Sequence, residues 1–196
     1  MKKFLGILVL ILIFSLQSWT KADDISDFEI EGMSIGYSLL DYFSEEEIKS
    51  SRRNYAKNKK YYVVGYEENL NIYDSVDIYL KSGDNKYIVR SLTGTIFMKT
   101  KECLIKKKEI VEELRDMFSN ATERTYDNVS HSYDKSGKSK QHQTGFLLKN
   151  KNDDDHIRVE CTDWSKKFEN ENNWQDNLGV GAVSKEILMW FESGYK

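Results

Sequence analysis

Proline is absent from this 196-residue chain, and its absence excludes polyproline linkers and collagen-like repeats. Cysteine and histidine are scarce, with two and three residues respectively. Apolar residues make up 39% of the chain and aromatic residues 13%, which is enough to form a hydrophobic core, so a wholly disordered chain is excluded too. The length fits one ordinary domain, or two small halves that share a sheet.

An excess of basic residues is also missing. The chain has 29 Lys and Arg residues against 32 Asp and Glu, and removal of the first 22 residues, which contain three lysines and no acidic residue, leaves 26 basic and 32 acidic residues. The only basic cluster, residues 106–108, is closely followed by three glutamates, which is typical of a solvated helix face. We therefore expect no nucleic-acid partner.

Motifs for nucleotides and metals are lacking as well. The sequence contains neither a P-loop nor a G-x-G-x-x-G motif. His131, His142 and His156 lack the spacing of a zinc site, and residues 153–155 lack the alternation and final glutamate of an EF-hand loop. We therefore expect neither a metal nor another cofactor, and we assign no catalytic residue.

The N-terminus carries the longest hydrophobic stretch and predicts a signal peptide over residues 1–22. Two lysines precede an apolar run at residues 4–16, which is short for a membrane-spanning helix of about 20 residues. Small residues at Thr20 and Ala22 predict cleavage after Ala22. The mature chain is then expected in the periplasm or outside the cell, with no attachment to a membrane. The alternative is an uncleaved N-terminal anchor.

The two cysteines, Cys103 and Cys161, are expected to form a disulfide because export takes them to an oxidising compartment. Cys103 lies on the apolar face of a helix predicted at residues 101–120, and Cys161 on the apolar side of a strand predicted at 156–162. Both sulfurs would then face the interface between helix and sheet. The alternatives are two buried free thiols or a catalytic cysteine. His156 lies on the opposite side of the strand, where it is badly placed to activate Cys161.

The order of the predicted elements indicates an α+β fold. Strands are predicted at residues 60–66, 75–81, 86–98, 144–149, 156–162 and 176–183, and helices at 39–43, 45–53, 101–120 and 185–192. We expect an antiparallel sheet with the helices packed on one face. A helical segment followed by a meander occurs twice, so residues 23–196 are expected to form a single domain that can be divided into halves at 32–99 and 100–196.

The connections between these elements are polar. Residues 122–142 are polar, and the run SGKSKQHQ at 136–143 is predicted as a mobile loop. Residues 165–173 are predicted as a second polar loop. A hairpin turn is predicted at residues 150–153. Gly94 is expected to bulge or bend the third strand.

Trp164 and Trp174 are the candidate binding residues. They lie in or beside the polar segment 163–177, where a buried anchor is not expected, and the 12 Tyr, 9 Phe and 4 Trp residues are more than a core of this size needs. Tyrosine and tryptophan suit binding surfaces because they supply rigid amphipathic contact area. The alternative is core packing, with Trp164 beside Cys161.

Several runs of the sequence resemble a family of small exported proteins from marine bacteria with AT-rich genomes. They are IEGMSIGYSLLDYFSEEEIK, KYIVRSLTGTIF, KKKEIVEELRDMF, SGKS and VECTDWS, and the resemblance extends over nearly the whole mature chain. The family has no assigned activity, so the resemblance implies export and supplies no catalytic residue. The chain departs from the usual family opening at Tyr37, where an acidic residue is typical.

The helix entry Gly36-x-Ser38-x-x-Asp41 is similar to the G-x-[ST]-x-x-[DE] motif of outer-membrane assembly lipoproteins and β-lactamase inhibitor proteins. Those proteins use helix-plus-meander units as protein-binding surfaces, so this resemblance implies a binding module. The chain has no cysteine after the hydrophobic run and departs from the lipoproteins there.

Together, these features predict a non-catalytic binding or interaction module of the cell envelope, with another envelope protein or a peptide as its partner. The expected binding surface is the outer face of the sheet together with the loops 127–143 and 163–177. The alternatives are a periplasmic hydrolase or other enzyme with an unrecognised site, and a purely structural envelope component.

Overall fold

The computed structural model describes residues 24–53, 59–149 and 154–193. The predicted signal peptide, its cleavage site after Ala22 and the hairpin turn predicted at 150–153 lie outside the described residues. The predicted strands and helices fall mainly within the described ranges.

Within these ranges, eight antiparallel strands form one sheet, and this confirms the α+β class. The strands are β1 (Arg52–Arg53), β2 (Tyr61–Tyr66), β3 (Ser75–Lys81), β4 (Val89–Phe97), β5 (Thr122–Ser130), β6 (Lys140–Lys149), β7 (Asp154–Asp163) and β8 (Asn177–Val183). Their order across the sheet is β1-β2-β3-β4-β8-β7-β6-β5. Each half of the chain therefore contributes four strands, and the two sets join where β4 pairs with β8.

In the described parts of the chain, four α-helices accompany the sheet. They are α1 (Glu45–Ser50), α2 (Thr100–Met117), α3 (Lys166–Asn172) and α4 (Lys185–Glu192). Two short 3₁₀ turns, Ile25–Asp27 and Leu39–Asp41, precede α1. Because α1 precedes β1 to β4 and α2 precedes β5 to β8, the order of a helix followed by a meander occurs twice. The second occurrence begins at the predicted boundary between the halves.

Ser38 and Ser44 are the N-caps of two helical segments. The Ser44 hydroxyl accepts a hydrogen bond from the Glu47 N–H, and the Glu47 carboxylate accepts one from the Ser44 N–H at 2.8 Å, which completes a capping box. The segment after Ser38 is a single 3₁₀ turn rather than a helix. α1 ends earlier than predicted because the residues after it pair with β2 as β1.

The main core lies between one face of the sheet, here called the first face, and the segments that cover it. A row of core residues crosses the centre of the first face: Ile78, Leu92, Ala182, Ile157 and Phe146. α2 covers this row with Val111 and Leu114, and the N-terminal segment adds Ile30 and Leu39. Alternate strand residues point to the opposite side, here called the second face.

A disulfide joins Cys103, in the first turn of α2, to Cys161, near the end of β7, as predicted. The two Cα atoms lie 5.8 Å apart, and both residues are fully buried in the main core. The bond therefore fastens the start of α2 to the sheet. Neither cysteine is free, which removes the alternatives of buried thiols and a catalytic cysteine.

α4 packs against the second face, whereas the sequence predicts all the helices on one face. Its residues Ile187 and Trp190 are buried with Tyr61 of β2 and Val183 of β8 in a second, smaller core. The ring centroids of Trp190 and Tyr61 lie 5.0 Å apart. Tyr61 and Val183 alternate along their strands with residues of the main core, so a helix that contacts them must lie on the other side of the sheet.

Two segments predicted as polar connections have regular structure, and both predictions are wrong. Residues 122–130 form β5, and β6 begins at Lys140, so residues 131–139 alone connect them. All nine residues of β5 are exposed, so the strand lacks the alternating apolar residues that reveal a strand in sequence. Residues 166–172 form α3, which begins after the cap Ser165 and has no buried residue.

Gly94 does not bulge β4, contrary to the prediction. The pairing of β4 with its neighbours runs regularly through Gly94. The irregularity lies between Tyr79 and Leu80 of β3, where Arg90 is the extra residue on β4. Gly94 instead makes room for the ring of Tyr73, which would lie 2.4 Å from a Cβ atom at this position. The glycine is therefore required by packing rather than by backbone conformation.

Candidate functional site

The second face carries α4 at one end and a group of aromatic side chains at the other. Between them, the strands present glycines and polar residues. One row across these strands consists of Thr93, Gly181, Arg158, Gly145 and Arg124. The second face is thus polar in its middle, in contrast to the apolar first face.

Five rings form the aromatic cluster at this end: His131, Tyr133, Trp164, Phe168 and Trp174. Trp164 is central, with its ring centroid 4.2 Å from that of His131, 5.0 Å from Phe168 and 4.8 Å from Trp174. Trp164 is only 6% exposed, whereas Trp174 is 40% and Tyr133 56% exposed. The aromatic cluster therefore has a buried centre and an exposed rim.

A reversal of the chain after α3 brings Trp174 onto Trp164. Asn173 ends the helix in the left-handed conformation, with φ at 56°, which asparagine tolerates better than most residues. The Trp174 N–H then donates to the Glu169 carbonyl at 3.2 Å. On the other side, the Trp164 N–H donates to Asp176 Oδ1 at 3.0 Å. Backbone contacts thus hold the two predicted binding residues against each other.

Asp134 fixes the β5–β6 loop beside this cluster. Its carboxylate accepts hydrogen bonds from the N–H and hydroxyl groups of Ser136 and Ser139, and from the hydroxyl of Ser165. These hydrogen bonds, chiefly those of the Ser136 and Ser139 side chains, hold the pKa of Asp134 well below its ordinary value. The segment is therefore a hydrogen-bonded turn that positions two of the five rings.

A depression of about 170 Å³ opens beside the aromatic cluster. Its lining consists of Phe97, Trp164, Asn173, Trp174, Gln175 and Asn177. Phe97 and Asn177 are cross-strand neighbours on β4 and β8, so the end of the sheet and the tryptophans line it together. The described lining residues offer aromatic surface and side-chain amides, and none of them is ionisable.

His131 contributes a neutral ring to the cluster. Burial lowers the pKa of His131, although the negative charges of Glu160 and Asp134 act in the opposite direction. The imidazole is therefore uncharged at neutral pH, and it packs against Trp164 as an aromatic ring. This end of the second face consequently favours an apolar group over an ion.

The structure brings Trp164 and Trp174 together, and their role in binding stays a prediction. Three further aromatic residues of this site, Phe97, Tyr133 and Phe168, are not identified from the sequence. Tyr133 and Phe168 lie in segments predicted as polar connections, and no motif surrounds Phe97 at the end of β4. These three residues can be assigned to the site only from their positions in the folded structure.

Residues 32–36 (GMSIG) follow a G-x-S-x-G pattern that is not among the sites predicted above. In α/β-hydrolases this pattern forms an elbow in which an exposed serine lies between a strand and a helix. Here Ser34 is 3% exposed and follows a turn closed by the bridge between Ile30 and Met33. No histidine of the described chain hydrogen-bonds Ser34, so the segment lacks the geometry of a nucleophile elbow.

Asp127 and His142 form a hydrogen-bonded pair of the kind found in catalytic triads. Their Oδ1 and Nδ1 atoms lie 2.5 Å apart. This hydrogen bond lowers the pKa of Asp127. In addition, the Lys107 ammonium donates to the Thr144 hydroxyl at 2.9 Å, and burial lowers the pKa of Lys107. Thr144 is only 2% exposed, and no described hydroxyl or thiol hydrogen-bonds His142, so these residues do not form a triad with an accessible nucleophile.

Among the described residues, no three His, Cys, Asp or Glu side chains come together as a metal-binding group. In the same ranges, no helix is both long and apolar enough to span a membrane. The chain matches no family model, no curated protein and no solved structure. The resemblances noted in the sequence therefore stay predictions.

Proposed function

We propose that this protein is a non-catalytic interaction module of the cell envelope that binds a peptide segment of another envelope protein. The observation that carries the proposal is the depression on the second face, where the exposed rings of Phe97 and Trp174 lie beside the buried Trp164. Aromatic rings supply rigid contact area at a small entropy cost and carry much of the binding energy at many interfaces.

The size of the depression favours one anchor side chain over a whole small molecule. Sites for small molecules and cofactors enclose roughly 300–1,000 Å³. The depression encloses about 170 Å³, which suits a single aromatic or long aliphatic side chain. The side-chain amides of Asn173, Gln175 and Asn177 can hydrogen-bond the backbone on either side of that anchor. A peptide therefore fits the shape and the chemistry of the lining.

The same lining favours binding over catalysis. A hydrolase is expected to bring carboxylates or histidines with perturbed pKa values into a concave pocket. The described lining residues are aromatic or carry amides. The Asp127–His142 pair belongs to a different part of the fold, because His142 lies opposite Cys161 on the first face.

Two features support a location in the cell envelope. The predicted signal peptide would direct the chain across the inner membrane. The Cys103–Cys161 disulfide is stable in an oxidising compartment and rare in a reducing cytosol. The proposed site of action is therefore the periplasm or the medium.

Selection from a displayed library of random peptides tests the proposal, with the purified, oxidised protein as bait. The affinity of each selected peptide is then measured for the wild type, for Trp174→Ala and for Met189→Ala. Met189 is a matched control because it is a large apolar residue on α4 that is 59% exposed. We expect selected peptides to share an aromatic or long aliphatic residue, and Trp174→Ala to weaken binding by at least about tenfold.

Thermal unfolding and circular dichroism verify that Trp174→Ala folds, and Phe97→Ala provides a second variant at the same depression. The proposal is contradicted if no peptide is enriched, or if Trp174→Ala and Met189→Ala bind the selected peptides equally well. A glycan array probed in parallel separates the ligand classes. Glycan binding that depends on Trp174, without peptide binding, would contradict the peptide assignment.

A further inference from the structure

The middle of the second face carries a group of basic residues that the proposed peptide site does not use. Arg158 of β7 and Arg124 of β5 are both cross-strand neighbours of Gly145 in β6, so they lie in one row on one face. Adjacent strands are about 4.8 Å apart, which places the two Cα atoms about 10 Å from each other. Gly145, between them, has no side chain of its own.

His156 completes the group. Its Nε2 atom would lie 2.2 Å from a Cβ atom at Gly145, so the imidazole covers that glycine. Burial lowers the pKa of His156, and the positive charges of Arg158 and Arg124 lower it further. The imidazole thus lies over the glycine that Arg124 and Arg158 flank in the row.

This group has no counter-ion in the part of the chain that the structure describes. Neither the Arg124 nor the Arg158 side chain forms an ion pair or hydrogen bond there, and Nε of Arg158 is shielded from solvent without a hydrogen-bond partner. The acidic residue on the same face of β7, Glu160, leans towards β8, with its Cγ atom 3.4 Å from the Cβ position of Gly179. Like charges grouped on a sheet face are unfavourable for folding, so the fold itself gives no reason for this arrangement.

We infer that Arg124, Arg158 and His156 form a binding site for a phosphate-type oxyanion. Guanidinium groups bind such oxyanions through paired N–H donors, and each bond is strengthened by the opposite charges. Donors that approach from two strands suit a tetrahedral group with three or four oxygens better than a planar carboxylate with two. The site is separate from the aromatic depression, and it does not depend on peptide binding there.

Titration of the purified, oxidised protein with inorganic phosphate at constant ionic strength tests the inference. NMR signals of the His156 ring and of the Arg158 guanidinium are followed, with chloride as the reference anion. We expect saturable shifts in the wild type, and an affinity lower by at least about tenfold in the double variant Arg124→Gln/Arg158→Gln. The control Lys101→Gln/Lys108→Gln removes the same charge from exposed positions of α2, and its affinity should change less than about twofold.

Thermal unfolding separates a binding role from a structural one. In phosphate-free buffer, Arg124→Gln/Arg158→Gln should be at least as stable as the wild type because it removes uncompensated positive charge. Phosphate should then raise the unfolding temperature of the wild type more than that of the double variant. A double variant that is less stable without phosphate, or that responds to phosphate like the wild type, overturns the inference, as does a wild type that gives no response.

Two further binding experiments identify the source of the phosphate. Sedimentation with vesicles of phosphatidylglycerol is compared with sedimentation with neutral phosphatidylcholine vesicles, and glycerol phosphate is titrated separately. Binding to the anionic vesicles that is lost in Arg124→Gln/Arg158→Gln supports the site and assigns the phosphate to a lipid headgroup. Binding of glycerol phosphate without vesicle binding supports the site and assigns it to a soluble ester.

Discussion

The carboxylate of Asp134 accepts a hydrogen bond from the hydroxyl of Ser165 at 2.9 Å, and this contact joins the β5–β6 loop to the cap of α3. The two segments are 31 residues apart in sequence at this contact, and they supply most of the aromatic cluster. The position of the rings therefore depends on a polar contact behind them as well as on their own packing.

Replacement of Asp134 by asparagine is expected to loosen the β5–β6 loop, because an amide nitrogen cannot accept the hydrogen bonds that the carboxylate oxygen accepts. Hydrogen exchange of the Ser136 and Ser139 amides should become at least about tenfold faster, while exchange in the central strands stays unchanged. Asp41→Asn, an exposed substitution in a 3₁₀ turn, is the control. Equal exchange at Ser136 and Ser139 in all three proteins would show that Asp134 does not hold the loop.

Removal of the disulfide is expected to destabilise the protein. The bond closes a loop with a sequence separation of 58 residues, and Cys103→Ala/Cys161→Ala should lower the free energy of unfolding by about 4 kcal/mol in the chain-entropy account. Urea unfolding measures the difference. Mass spectrometry after alkylation checks the bond itself, and two alkylated cysteines in an unreduced sample would refute it.

Alanine substitutions at two strand glycines should have different effects. A Cβ atom at Gly94 would lie 2.4 Å from the Tyr73 ring, so Gly94→Ala is expected to lower the free energy of unfolding by about 1–3 kcal/mol through overpacking. At Gly179 the nearest atom, Glu160 Cγ, is 3.4 Å away, and Gly179→Ala should cost less than about 1 kcal/mol. Urea unfolding of both variants tests this, and equal losses would contradict the packing role of Gly94.

Glu31 holds the N-terminal segment against the β2–β3 loop. Its carboxylate accepts hydrogen bonds from the backbone N–H groups of Asn71, Ile72 and Tyr73 at 2.9, 2.7 and 3.1 Å. Partial burial raises the pKa of Glu31, but these hydrogen bonds outweigh that effect, and the pKa lies below the ordinary value of 4.5. The ionised carboxylate therefore stabilises the fold above the ordinary pKa, and this contribution is lost as the pH falls through the lowered pKa.

Glu31→Gln is accordingly expected to lower the free energy of unfolding at neutral pH by about 1 kcal/mol, a modest value because the site is partly solvated. The difference from the wild type should shrink in acid, below the pKa of Glu31 in the folded protein. Glu68→Gln, at an exposed position of the same loop, is the control. Urea unfolding across the acid range measures both variants, and a loss in Glu31→Gln that does not depend on pH would contradict the account.

Segments with alternating or periodic apolar residues were predictable from the sequence. The bounds of β3 (Ser75–Lys81) and α4 (Lys185–Glu192) agree with the prediction, and the burial of β3 alternates along the strand. The disulfide was predictable because both cysteines occupy apolar positions of such elements. β5 and α3 could not be recognised, because neither contains a buried residue whose spacing would mark it.

The candidate sites were predictable only in part. Trp164 and Trp174 could be chosen by residue type and polar surroundings. Phe97 joins them only because β4 pairs with β8, and Arg124 comes opposite Gly145 only through the register of β5 with β6. Strand order and register depend on pairing over long distances in the sequence, and local patterns do not specify them.

Fluorine NMR of protein labelled with fluorotryptophan tests the central claim, peptide binding at the aromatic depression, most directly. Trp164 and Trp174 line the depression, whereas Trp190 lies in the smaller core under α4 and serves as an internal reference. A library-selected peptide is predicted to shift the signals of Trp164 and Trp174 and to leave that of Trp190 unchanged. A bound peptide that shifts Trp190 alone, or none of the three signals, would contradict binding at this depression.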